Sequence, residues 1–207
     1  MSTFLGPIHF WLYRKIGKQE ELTKAIASYA EQKGWIEEQV KYTKDLPALE
    51  DVIDESNIHG WLQGQLHDAE TRYVELIGDV WNTARSEEIC GVAFEFGKKY
   101  ALEVSASPAE AYQVFEDFFV NGMPCDRVNS VVSESEDALS WTMTQDIHVQ
   151  YWKDDSEIYY LLRNEIMRGM LDGTGLVLSS DDNVTYTIKR QRFHERKGRG
   201  SFLHSKR

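Results

Sequence analysis

Along the first part of the chain, apolar residues return every three or four positions, the period of a helix with one buried face. After Gly6-Pro7, the positions Ile8, Trp11, Leu12 and Ile16 predict a short amphipathic helix, with proline in the first turn where a missing N–H does no harm. A second helix is expected over residues 20–33, stopping at Gly34, a natural residue to follow a helix end. Residues 35–44 continue the helical pattern until Leu46-Pro47 breaks it. Asp54 and Asn57 then offer caps for a long helix over residues 58–81, apolar at Ile58, Trp61, Leu62, Leu66, Tyr73, Leu76, Ile77 and Val80. Ser86-Glu87-Glu88 opens a helix that buries Ile89, Val92, Ala93 and Phe96. Ser107-Pro108-Ala109-Glu110 combines a cap, an N1 proline and an acid three residues on. The helix it starts presents Ala111, Val114, Phe115 and Phe118 and ends near Asn121-Gly122.

The period then changes. Residues 128–134 and 138–144 are rich in β-formers and flank a polar turn at Ser135-Glu136-Asp137, which predicts a hairpin with Val132, Leu139, Trp141 and Met143 facing the helices. Residues 147–152 extend or rejoin that sheet. Residues 156–172 form a helix patterned by Ile158, Leu161, Leu162, Ile166 and Met170 and ended by Gly173. Two further strands, 175–178 and 184–188, close a last hairpin around Ser180-Asp181-Asp182-Asn183. Helices followed by hairpins, without βαβ alternation, define an α+β fold: a helical N-terminal half packed with a small antiparallel sheet and one intervening helix. The expected organisation is one domain over 1–192, mainly helical to 122 and sheet plus helix from 123, followed by a basic tail, 193–207.

Composition narrows the function. The proportions, 42% hydrophobic and 28% charged, are those of a globular chain. No apolar run approaches the roughly 20 residues of a membrane span. The start lacks a basic signal-like segment and the chain holds only two cysteines, Cys90 and Cys125, so a cytoplasmic protein without a disulfide framework is expected. Net charge is −11, but from Lys189 onward eight basic residues stand against Glu195, leaving −18 on the first 188 residues. So acidic a body repels nucleic acid and anionic membranes. The remaining partners are a small-molecule ligand and a second copy of the chain in a homodimer.

Candidate chemistry centres on histidine. Ile8-His9-Phe10-Trp11-Leu12 recurs as Ile58-His59-Gly60-Trp61-Leu62, which predicts two like segments facing each other across a shared site. His9, Trp11, His59, Trp61 and Gln63 are therefore the expected ligand-binding residues, lining the principal pocket. Gln63, His67 and Glu70 or Thr71 follow His59 along one helix face. If they converge, His9, His59 and His67 form a donor set suited to iron, zinc or manganese. His148 is the candidate catalytic base, since imidazole titrates near neutrality, and Asp146 lies on the same side if the segment is a strand. Cys90 reads as a small buried hydrophobe.

From Phe94 to Arg192 the order of elements, with the hairpin over 128–144, an amphipathic helix and the closing strands Gly175-Leu176-Val177-Leu178 and Val184 to Lys189, resembles the four-vinyl-reductase small-molecule-binding domain and the L-2-amino-thiazoline-4-carboxylate hydrolase family. The resemblance implies a ligand held between sheet and helices. It also implies cysteines near the strand ends, and here Asp146, His148, Ser179, Ser180, Asp181 and Asp182 occupy those regions instead. The expected function is a small-molecule or cofactor-binding protein. The alternative is a metal- or histidine-dependent hydrolase acting on a small heterocycle or amide.

Overall fold

The computed structural model describes residues 5–123 and 126–191, so the basic tail and Cys125 lie outside the described residues. The fold is α+β, with helices through the N-terminal half and a four-stranded antiparallel sheet near the C-terminus.

Helix α1 runs unbroken from Pro7–Gln32, where the sequence pattern predicts two helices. The glycine at the seam, Gly17, costs about 1 kcal/mol relative to alanine. That is too little to break a continuous buried stripe of Leu12, Ile16, Leu22, Ile26, Ala27 and Ala30. The helix closes at Gly34, whose φ of +69° lets its N–H reach the Glu31 carbonyl (2.9 Å) while the Trp35 N–H reaches that of Ala30 (2.8 Å). This closure turns the chain away, and the helix expected over 35–44 reduces to a 3₁₀ turn, Gln39–Lys41. A single turn, α2 (Leu49–Val52), precedes α3 (Ile58–Val80), whose start is capped by Asn57 Oδ1 accepting the Gly60 N–H at 3.2 Å. Helices α1 and α3 run side by side in the same direction, with His9 beside His59, Tyr13 beside Trp61 and Glu20 paired with Arg72. Then come α4 (Ser86–Lys98) and α5 (Pro108–Phe118). The expected capping box of α5 is formed: Ser107 Oγ accepts the Glu110 N–H (3.2 Å) and Glu110 Oε2 accepts the Ser107 N–H (2.7 Å).

The sheet follows as β1 (Asn129–Glu134), β2 (Ala138–Met143), a single helical turn α6 (Val149–Trp152), α7 (Ser156–Leu171), β3 (Leu176–Ser180) and β4 (Thr185–Arg190). Its spatial order is β1-β2-β4-β3, so the last strand lies inside the sheet. Leu139, Trp141 and Met143 alternate inward as expected, joined by Leu176, Leu178, Tyr186 and Ile188, and Trp141 stacks on Tyr186 at 5.1 Å. Val132 does not join them. The register slips between Val131 and Ser133, a bulge in the edge strand that leaves Val132 64% exposed. Nor do residues 147–152 enter the sheet, because Asp146 Oδ1 accepts the N–H groups of His148 (2.9 Å) and Val149 (3.1 Å) and turns the chain into α6. On α7 the buried face is Tyr159, Leu162, Arg163, Ile166 and Met170, while Leu161 faces solvent. Helices α4 and α7 cross at two glycines. A Cβ on Gly97 would run into the Ile166 carbonyl, and one on Gly169 into that of Phe94. No helix among the described residues is long and apolar enough to cross a membrane.

Candidate ligand pocket and buried polar network

The two echoing segments meet. The rings of His9 and His59 lie 5.5 Å apart at 75°. His9 is buried, and its Nδ1 accepts the Gly6 N–H at 2.9 Å, so one of its nitrogens serves the start of α1. His59 and Gln63 are exposed. Trp11 turns toward α5, donating from Nε1 to Asp117 (2.9 Å), and Trp61 packs 5.8 Å from Tyr13. His67 stands eight residues beyond His59, which is about 12 Å along the axis. Its ring packs against Tyr151 at 5.5 Å. The three-histidine cluster is thus not assembled, and among the described residues no group of three or more His, Cys, Asp or Glu is placed to hold a metal ion.

A partly enclosed pocket lies elsewhere, between α1, α3, α7 and the end of α5. Lys15, Lys18, Gln19 and Leu22 line it from one face of α1, Tyr73 from α3, and Phe118, Phe119 and Val120 from the end of α5 onward. Tyr159, Arg163 and Ile166 complete it from α7. It spans about 360 Å³ with its mouth, and its interior has room for little more than a water molecule. None of His9, Trp11, His59, Trp61 and Gln63 lines it.

What distinguishes this pocket is that charged side chains are almost wholly buried at it. Lys15 is 2% exposed and Arg163 3%. Among the described residues neither is within ion-pair distance of a carboxylate: Lys15 Nζ sits 3.9 Å above the Trp11 ring, and Arg163 meets the Met143 sulfur (3.8 Å) and the Phe119 ring (5.0 Å). Burial lowers the Lys15 pKa to about 8, a fall that Arg163 adds to and the charges of Glu116 and Asp117 oppose. Those two carboxylates are engaged by neutral donors, Asn129 and Asn121 on Glu116, Trp11 and Gln113 on Asp117. Gln19 Nε2, Tyr73 OH and Arg163 Nε are buried without a hydrogen-bond partner among the described residues.

Behind the pocket lies a second polar group. His148, expected at a strand end, instead precedes α6 and is 1% exposed. Its Nδ1 lies 3.1 Å from Glu70 Oε1, while Glu70 Oε2 accepts the Trp152 Nε1–H at 3.3 Å. Asp146 serves the backbone, so the expected Asp146–His148 side-chain pair is replaced by Glu70–His148. The His148 ring stacks on Tyr159 at 3.8 Å, and Tyr73 packs edge-on to Trp152 at 5.1 Å. Tyr159 and Tyr73 thereby form a wall with the pocket on one side and the Glu70–His148 pair on the other. Burial pushes the pKa of both tyrosines up, so both remain neutral phenols. The Cys90 thiol is half-buried and raised as well, chiefly by desolvation, in keeping with a packing role.

No family model, curated protein or solved structure matches the chain. The site therefore rests on its own geometry. Sequence inspection missed Lys15, Gln19 and Arg163, although a signal was there. Lys15, Gln19 and Leu22 share a helix face at i, i+4 and i+7, as do Tyr159, Arg163 and Ile166, so each charge falls on an apolar stripe.

Proposed function

We propose that the chain is a small-molecule-binding protein whose ligand occupies the pocket between α1, α3, α5 and α7. One observation carries this reading: Gln19 Nε2 and Tyr73 OH are buried at an aromatic-walled pocket with no hydrogen-bond partner among the described residues. An unpaired buried donor costs roughly 1–3 kcal/mol, a cost that a guest bringing an acceptor would remove. The resemblance to the four-vinyl-reductase-like fold implies a ligand against the sheet; the polar groups favour a position among the helices, with Met143 of β2 at its border. The Glu70–His148 pair has the form of a base and its orienting acid. It sits behind Tyr159, however, which favours binding over hydrolysis. Methyl-resolved NMR with a panel of small probes (butyrate, butyramide, benzoate, indole) tests the proposal. Binders should shift the methyl signals of Leu22, Val120 and Ile166. Shifts confined to the neighbourhood of His9 and His59, or none at all, would refute it.

A further inference from the structure

We infer that the pocket is built for an anionic head group, an oxyanion held between Lys15 of α1 and Arg163 of α7. The inference rests on the pocket being the binding site and adds the chemical class of its occupant. A buried lysine or arginine is ordinarily found paired, because removing an ammonium or guanidinium from water without a counter-charge is strongly unfavourable. Here two such groups, on different helices, line one cavity, and among the described residues neither has a carboxylate at ion-pair distance. At contact distance, among the described residues, their charge meets ring faces and a thioether, which are weak substitutes, while Glu116 and Asp117 act on Lys15 from beyond ion-pair distance. The neighbouring donors carry the same meaning. Gln19 Nε2, Tyr73 OH and Arg163 Nε all offer hydrogens, which is what an oxyanion requires of its surroundings and what a cationic or purely apolar guest would leave unused. Lys18, at the same pocket, is already committed to Glu21 and Tyr100, so the two unpaired cations define the head-group position. The limited interior favours a head group of a few atoms, with any apolar body left toward the mouth.

Carboxylate and phosphate esters share this chemistry, and the experiment separates them. The full chain is titrated with sodium butyrate, sodium methyl phosphate and butyramide at constant ionic strength, with calorimetry and the Leu22, Val120 and Ile166 methyl signals as readouts. At least one anion should bind saturably and butyramide should not; which anion binds identifies the head group. Lys15→Met and Arg163→Gln should each weaken that anion tenfold or more, and bound anion should raise the Lys15 pKa above about 8 in the parent. Should Arg163→Gln fail to fold, Lys15→Met and the lysine titration still decide the matter. If butyramide and butyrate shift the three methyls alike, or Lys15→Met binds the anion undiminished, the inference fails while the pocket stands as a binding site. If no probe shifts those methyls, both fall.

Discussion

Lys15→Met should make the protein more stable near neutral pH, and the gain should vanish in alkali. Methionine keeps most of the aliphatic stem that packs along α1 and removes the ammonium. In the folded chain Lys15 loses its proton at about 8, against 10.5 for an ordinary lysine. With about 1.4 kcal/mol for each unit, holding the charge in this site costs on the order of 3 kcal/mol. The sign follows from proton counting. Between the two values the unfolded chain binds more protons than the folded one, so stability rises with pH across that window. The penalty is complete below about 8 and gone above 10.5. While the ammonium is present, its contact with Trp11 offsets about 1 kcal/mol of that cost, a contribution that disappears with the proton. The variant should therefore gain about 2 kcal/mol at pH 7, a few degrees or more of melting temperature for a chain of this size. Its advantage should fall below about 1 kcal/mol by pH 10 and approach zero above 10.5. Urea unfolding of both proteins at pH 7, 8.5 and 10 measures this, and taking the difference cancels the ionisation of the buried tyrosines. A difference that stays flat across the range, or a variant destabilised at pH 7, would show that the Lys15 charge is accommodated by protein groups.

Three further outcomes can be checked by denaturation. Gly169→Ala should cost about 1–3 kcal/mol, since its Cβ meets the Phe94 carbonyl where α4 and α7 cross, while alanine at Gly91, which has open space around it, should be neutral or slightly stabilising. Glu70→Leu should cost about 3–5 kcal/mol by leaving His148 and the Trp152 N–H unpaired, and adding His148→Phe should recover part of it; strict additivity in the double variant would exclude the pairing. Ser107→Ala should cost about 1 kcal/mol through the lost cap of α5, with no effect on any ligand titration.

The readable parts of the fold were those fixed by local chemistry. The capping box at Ser107, the end of α1 at Gly34, the Asn57 cap and the inward alternation of Leu139, Trp141 and Met143 each depend on a few adjacent residues. Errors arose where distant packing overrode a local cue. The pattern suggests two helices before Gly34, whereas one buried stripe runs through Gly17, and the inward alternation predicted for Val132 fails because a bulge is a property of two strands. Asp146 could serve either a strand or a turn, and its bonds to two backbone N–H groups decide for the turn. The proximity of His9 and His59 was legible for a concrete reason: α1 and α3 pack in the same direction, so segments fifty residues apart come level. Lys15 and Arg163 were illegible because a charge beside apolar residues ordinarily marks the solvent edge of a helix. Only the approach of α7 to α1 shows that both are enclosed.

The position of β4 has a consequence for how the chain is made. Strands β1 and β2 leave the ribosome early enough to close their hairpin, but the far side of β2 is paired with a strand synthesised some forty-seven residues later, as the Ser140–Thr187 contact records. Until Thr185–Arg190 emerge, the nascent protein carries an open row of amides and carbonyls where the middle of the sheet will be. Translation that stops anywhere between α7 and β4 thus yields a product with complete helices and an unpaired, inwardly apolar strand, the kind of edge that recruits other chains. The late strand does not decorate a finished fold; it fills the gap at the centre of the sheet.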